Sequence, residues 1–595
     1  MHIKQTLLII VLNHLVLFSM AQNTSYDIRL NQIGFLPNAI KQAAIISSQP
    51  DSFSIVTSDT DSIVYRGESL MPAYYTSSEE NVCMADFTRL NIPGNYVLVM
   101  DDIGKSAPFS IREDVFLSLS KSGIKAFYYN RASVPILSEY AGIFARESGH
   151  PDTAVVVHPS AASANRPAGT IISTPKGWYD AGDYNKYIVN SGITIFTLLS
   201  AYETYPEYYD TLDLNIPESN NEIPDLLDEA LWNIEWMMSM QDSTDGGVYH
   251  KTTEAQFSSF VMPSELTVTR YVTAKSTAAT LDFAAIMAMT ARIYNKYDPE
   301  LADRALKQSL KAWQWAKNNP NVIFTNPISS GDFPSIETGQ YGDSNFDDEF
   351  SWCAAELYIT TKDVTYYNEM DLNATYDLPG WGNVRTLGLI SLILHKDSLT
   401  NEADTGRAKS ILTDLVDTAK NSIITSPYRI PGDYYFWGGT NAYANWGMLF
   451  IQAFRITHKA AYYNAAVSSL DYLLGRNASA YCFVTGAGVR NPKNIHHRIS
   501  GSDGIAKPIP GLLVGGPNPG NISDCGASQY PSTLPAKAYA DLLCSFSTNE
   551  VAINWNAPLV FLAGAVQVEY LKNFTDSIPV CFSVSKKNPA RKCKI

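Results

Sequence analysis

Asp180 and Asp183 stand three residues apart in Gly177-Trp178-Tyr179-Asp180-Ala181-Gly182-Asp183-Tyr184-Asn185-Lys186-Tyr187, with Gly182 between them and aromatics on both sides. Carboxylates can take a proton from water, and flat aromatic faces stack on sugar rings. The stretch therefore suits cleavage of a glycosidic bond. A structural role competes with that reading. An apolar, helix-like run follows over 188–199, and the pair has the spacing of an N-cap and an acidic N3 residue. A second carboxylate lies far downstream in Ser547-Thr548-Asn549-Glu550, ahead of Val551-Ala552-Ile553-Asn554-Trp555-Asn556-Ala557-Pro558. Ser547 and Glu550 have capping-box spacing. A glutamate opening an apolar helix beside Trp555 and Asn556 is also a way to build a proton donor, because desolvation disfavours its charged form. A third stretch, from Thr485-Gly486-Ala487-Gly488-Val489-Arg490 to His496-His497-Arg498, places bulky hydrogen-bond donors after a Gly-rich loop.

These stretches need a scaffold, and the chain is long enough for more than one core: 595 residues. Over 26–112 the runs Ala43-Ala44-Ile45-Ile46, Phe53-Ser54-Ile55-Val56 and Tyr96-Val97-Leu98-Val99 read as short strands separated by turns such as Pro93-Gly94-Asn95. That spacing suggests a β-sandwich, with no cluster of acids or histidines in it. From 114 onward apolar residues recur at helical spacing over 115–129, 224–240, 273–297, 302–316, 346–359, 405–424, 446–456, 460–474 and 550–571. Periodicity alone supports a large all-α domain whose unusual residues sit in loops.

The formal charge of −15 argues against nucleic acid and anionic membrane surfaces as partners and permits a neutral polymer. Residues 1–21 read as a secretory signal: Lys4, an apolar run over 7–18, then Ser19-Met20-Ala21 at the cleavage positions. A secreted or periplasmic monomer with no membrane span in the mature chain is expected. The seven cysteines are sparse and fit no zinc spacing; Cys581 and Cys593 are a candidate pair by proximity.

Taken together the motifs resemble glycoside hydrolase family 9, the inverting cellulases, over nearly all of 26–571. Asp180-Ala181-Gly182-Asp183 is similar to the family's base motif, and Asn549-Glu550 through Pro558 to its acid motif. His496-x-Arg498 is similar to its sugar-binding loop, with Pro510-Gly511-Leu512-Leu513-Val514-Gly515-Gly516-Pro517-Asn518-Pro519 as the loop that follows. The opening Ile28-Arg29-Leu30-Asn31-Gln32-Ile33-Gly34 resembles the immunoglobulin-like module found in one branch. The resemblance implies a multi-domain chain: an all-β immunoglobulin-like sandwich over 26–112, an all-α (α/α)6 barrel over 114–573, and a tail over 574–595 of unknown role. It implies Asp183 as general base, Asp180 holding the water and Glu550 as general acid, with Asp541 as a further acidic position. His496 and Arg498 would hold the sugar, and Trp555, Trp437 and Tyr187 would contact it. Ser344, Asn345, Asp348 and Glu349 look like a structural calcium position, with a solvated acidic helix start as the alternative. The chemistry itself needs no cofactor. Two departures stand out: Cys482 in the His-loop, and Leu542, Leu543 and Cys544 where a polar stretch is expected. The implied activity is endo-β-1,4-glucan hydrolysis. An exo-acting relative releasing small sugars and a non-catalytic glycan-binding protein are the alternatives, the last disfavoured by the presence of both Asp183 and Glu550.

Overall fold

The computed structural model describes residues 24–574, so the expected signal over 1–21 and the candidate pair Cys581 and Cys593 lie outside the described residues. The first module is a sandwich of ten strands: β1 Ile28–Arg29, β2 Gly34–Phe35, β3 Gln42–Ile46, β4 Ser52–Thr57, β5 Ile63–Glu68, β6 Ala73–Tyr75, β7 Glu80–Asp86, β8 Gly94–Met100, β9 Gly104–Lys105 and β10 Phe109–Ile111. One sheet runs β1-β3-β7-β6 and the other β2-β10-β8-β4-β5, with β9 on β8. Alternation drives the packing. In β8, Tyr96, Leu98 and Met100 point inward, and Phe35 meets Phe87 and Phe109 edge-on at 5.2 and 5.4 Å between the sheets.

Of sixteen α-helices among the described residues, twelve frame the second module: α1 Leu117–Tyr129, α2 Ile188–Thr204, α3 Asp225–Ser239, α4 Thr277–Tyr294, α5 Pro299–Asn318, α6 Asp347–Thr361, α7 Val364–Tyr367, α8 Arg385–Leu394, α9 Thr405–Thr425, α10 Gly439–Thr457, α11 Ala460–Leu473 and α12 Ile553–Asn573. Their burial sorts them into two rings. Even-numbered helices are apolar all round; every residue of α12 from Ile553 to Tyr570 is buried. Among the outer helices α9 buries one stripe, Ala408, Ile411, Leu412, Val416, Ala419 and Ile423, while α11 is buried throughout 465–473 and α7 buries nothing. Neighbours close the inner ring: α12 packs on α2 and α10, α4 on α2 and α6, and α6 on α8, with α9 joining α8 to α10. Helix α7 is a single turn, which is why its hairpin gave no periodic signal.

Several boundaries differ from the sequence reading, and the differences bear on the chemistry. Helix α2 begins at Ile188 behind Tyr187, so neither Asp180 nor Asp183 caps it. Helix α12 begins at Ile553, and Glu550 lies before it on extended backbone (φ −73°, ψ 160°). The Ser547–Glu550 capping box does not form; Ser547 Oγ donates instead to the Asn521 carbonyl. A small sheet went unforeseen. Strands β11 Val155–Val157, β12 Ile171–Ile172, β13 Lys186–Tyr187, β14 Lys251–Thr253 and β15 Tyr271–Val272 pair in the order β12-β11-β15-β14-β13, and the edge strand β13 follows Asp183 directly.

The opening motif of the sandwich plugs into the barrel. Asn31 Nδ2 donates to Asp471 Oδ1 at 2.9 Å, and Gln32 Oε1 accepts from the amides of Val489 and Arg490.

Cys544 pairs with Cys525, closing a loop of sequence separation 19. This explains the cysteine in the otherwise unexpected 542–544 stretch. Closing a loop of that length removes about 3 kcal/mol of unfolded-state entropy in the chain-entropy account. Replacing both cysteines by serine should lower the thermal midpoint, and wild-type protein mapped without reduction should yield the 525–544 cross-linked peptide; two free thiols there would contradict the pairing.

Candidate active site

Glu550 is placed by backbone pairing with His496 and Gly515. His496 and Glu550 form a parallel bridge, the His496 amide donates to the Asn549 carbonyl at 2.9 Å, and the Gly515 amide donates to the Glu550 carbonyl at 2.9 Å. The Gly-rich loop over 510–519 thus braces the glutamate from one side, with the Gly516 amide donating to the Thr548 carbonyl. On the other side the base loop closes in. Gly182 N–H donates to Glu550 Oε1 at 3.2 Å, and Trp437 Nε1–H donates to Oε2 at 3.0 Å. Gly182 is confined: a Cβ there would lie 2.4 Å from the His496 carbonyl oxygen and 2.9 Å from Glu550 Oε1.

Asp183 follows immediately. Its Oδ2 accepts from Tyr187 OH at 3.0 Å and from Asn185 Nδ2, which leaves Oδ1 without a partner among the described residues. The Asn185 amide is itself oriented, because its Oδ1 accepts from Thr253 Oγ1 and the Glu254 amide. Asp180 is more enclosed. Its Oδ1 accepts from Asn190 Nδ2 and its Oδ2 from Tyr341 OH at 2.7 Å.

Burial governs the protonation of these acids. Desolvation, then the negative charge of Asp183, pushes the Glu550 carboxyl up to about 8, against the opposing hydrogen bonds from Gly182 and Trp437. The same two causes, in the same order, push Asp180 up to about 8. Around neutral pH Glu550 therefore holds a proton that it can give away. His496 is kept neutral by burial, pKa lowered; its Nδ1–H donates to the Leu543 carbonyl at 2.8 Å, which turns Nε2 outward as an acceptor.

Four expected contacts fall elsewhere. Trp555 is buried, lying beneath Gly438 and Gly515, where a Gly438 Cβ would come within 2.5 Å of its ring; it supports the loop that carries Trp437. Tyr187 is buried and orients Asp183. Arg498 spends Nε on the Ser258 carbonyl and Nη1 on the Gly182 carbonyl, both at 2.7 Å, so it ties the base loop down. Asp541 accepts from the amides of Lys493 and Asn494 and from Asn549 Nδ2, which makes it the anchor of the His496 loop, away from the reacting atoms. Trp437 is half exposed, next to Phe546 at 5.3 Å, with its indole on Glu550. Sequence reasoning missed Asn185, Asn190, Tyr341 and Phe546, whose types carry no signal without the fold.

At the expected cation position the oxygens are reassigned. Asp348 Oδ2 accepts from the Val384 amide, while Asn345 Oδ1 accepts from the Asp347 amide. No group of three or more His, Cys, Asp or Glu side chains is arranged to hold a metal among the described residues. However, both carboxylate oxygens of Glu349 and of Asp282 are buried without a hydrogen-bond partner, which suits hard-cation ligation in type.

A helical double ring presents a part-buried glutamate, its carboxyl pushed up, beside a buried aspartate with one unpartnered oxygen, the parts an acid–base glycosidase needs. The chain belongs to glycosyl hydrolase family 9: that family matches residues 116–563, and the cellulase N-terminal ig-like domain matches residues 23–105. The chain is 43% identical over 553 residues to a xyloglucan-specific endo-beta-1,4-glucanase of Bacteroides ovatus, covering 91% of this chain and 93% of that one. It is 34% identical to Endoglucanase D of Acetivibrio thermocellus, covering 93% and 82%. A solved Bacteroides ovatus family 9 structure superposes with a TM-score of 0.86 at 41% identity, covering 91% of this chain and 99% of that one.

Gly182→Ala tests the geometry. The added methyl must displace His496 or Glu550, and misplacement on the 1 Å scale costs about 100-fold. We expect a loss of kcat of that order with an unchanged circular dichroism spectrum; full activity would contradict the packing described.

Proposed function

We propose that this protein is a secreted endo-β-1,4-glucanase that cleaves β-glucan chains with inversion. Asp183 Oδ1 takes a proton from the attacking water, and Glu550 gives its proton to the leaving oxygen. Asp180, its oxygens fixed by Asn190 and Tyr341, helps hold that water. The observation that carries the reading is Glu550: burial and the neighbouring Asp183 keep it protonated where an exposed glutamate would be ionised. His496 Nε2 faces outward to accept from a sugar hydroxyl, and the exposed face of Trp437 offers a stacking platform next to the leaving group. A relative specific for xyloglucan makes a branched β-1,4-glucan the first substrate to test. The Cys525–Cys544 bridge and the leader-like 1–21 support an oxidising destination.

We also infer a structural cation held by Asp282 and Glu349. It would relieve two buried carboxyls that desolvation, then the charges of Asp348 and nearby acids, pushes well above the carboxylate range. It takes no part in the chemistry, since Asp183 and Glu550 supply both proton steps.

Two measurements check these readings. On xyloglucan, mixed-linkage glucan and soluble cellulose derivatives, viscosity should fall faster than reducing ends appear, with the α-anomer formed first. Glu550→Gln should cost about 100- to 10,000-fold in kcat. Glu550 is protonated below its raised value, so activity should persist at neutral pH and decline as pH rises through about 8. Release of mono- or disaccharides with little viscosity change would favour the exo reading. For the cation, calcium should raise the melting temperature, and the gain should vanish in Asp282→Asn/Glu349→Gln; equal melting of wild type with calcium or chelator would remove it.

A further inference from the structure

The turn between β6 and β7 of the sandwich grips two loops of the barrel, and both lead to the acid. Tyr75 OH donates to Asp433 Oδ1 at 2.6 Å and lies in hydrogen-bond contact with Tyr435 OH, while Ser77 Oγ donates to Asp433 Oδ2 at 2.7 Å. Asp433 stands four residues before Trp437, the residue whose indole N–H donates to Glu550. On the second loop, the Ala536 amide donates to the Ser77 carbonyl at 2.9 Å and Lys537 pairs with Glu80 at 2.6 Å. That loop continues to Asp541, which anchors the His496 loop, and to Leu543, whose carbonyl accepts from His496. A cavity of 280 Å³, lined by Tyr75, Ser426, Ile430 and Asp433, lies against the first grip. Tyr75 is buried in the core beside it, its ring edge-on to Tyr428 at 5.2 Å, so packing and hydrogen bonds act together on this grip.

We propose that Tyr75, Ser77 and Asp433 are positioning residues for catalysis: through them the immunoglobulin-like module holds Trp437 over Glu550 and keeps the acid covered and aimed at the leaving oxygen. The proposal rests on the reading of Glu550 as general acid. Its sign follows from the balance at that carboxyl. Loosening the loop removes both the Trp437 hydrogen bond, which favours the charged form, and part of the desolvation, which disfavours it. Desolvation is the larger, so the acid should lose its proton more easily. The charged or titratable groups facing Glu550 are Asp183 and Asp180 from the base loop and His496 from the paired segment. Those facing Asp433 are Tyr75 and Tyr435, with Tyr443 and Tyr472 behind. Asp180 also titrates near 8, but its partners Asn190 and Tyr341 lie on neither gripped loop.

The test compares full-length wild type, Tyr75→Phe/Ser77→Ala and Asp433→Asn on a β-glucan and on a cello-oligosaccharide aryl glycoside with an activated leaving group. The activated substrate needs little help from an acid. Each variant should lose about five-fold in kcat on the glucan, roughly what one or two hydrogen bonds control, and less than two-fold on the aryl glycoside. The alkaline limb of the glucan pH profile should move about half a unit lower. Equal losses on both substrates, or an unmoved limb, would overturn the proposal and leave the grip merely structural. If one variant fails to fold, the other decides. Glu550→Gln separates the two ideas: it should stay active on the aryl glycoside and lose about 100-fold or more on the glucan. Equal losses on both substrates would refute the acid assignment, and with it the ground for the proposal.

Discussion

The site depends on one crowded contact, the backbone of Gly182 against the carboxyl of Glu550. It brings a second acid close enough for the Asp183 charge to act on it and covers part of its surface. A carboxyl in that position experiences two opposed influences. Two N–H donors favour the charge; burial and a neighbouring negative charge oppose it, and the opposition prevails. A carboxyl so raised beside Asp183 suits the proton-donor half of acid–base hydrolysis.

Much of the fold can be read as support for that contact. The inner helix ring supplies the floor through α2, which follows the base loop, and α12, which follows the acid. Arg498 holds the Gly182 carbonyl, Asp541 holds the His496 loop, and the Gly515 amide holds the Glu550 carbonyl. These are backbone restraints, and they suit a site whose reacting groups must not relax toward each other. The sandwich joins in through Asn31 and Gln32 and through the turn after β6, so the two modules share one mechanical frame.

The legibility of the sequence was uneven for physical reasons. Helices with strong periodicity were found within a few residues, and the sandwich was found from alternation. The acid motif was located, but its helix was started three residues early, because the bridge from Glu550 to His496 is a long-range pairing with no local signature. Residue type points to Asp183 and Glu550 for acid–base work, and the structure brings their loops together through Gly182. Type fits two uses at Trp555, Tyr187 and Arg498: such residues bind sugars, and here their contacts are to the loops of the site. The Cys525–Cys544 pairing could not be told from spacing among seven cysteines.

The central claim is that Asp183 helps hold the proton on Glu550. Direct titration of Glu550 by carbon-13 NMR or isotope-edited infrared difference spectroscopy, in wild type and in Asp183→Asn, tests it. The account predicts a carboxyl titrating near 8 in the wild type, lower once the charge at 183 is removed. A wild-type Glu550 titrating like an ordinary exposed glutamate, or one unmoved by Asp183→Asn, would contradict it.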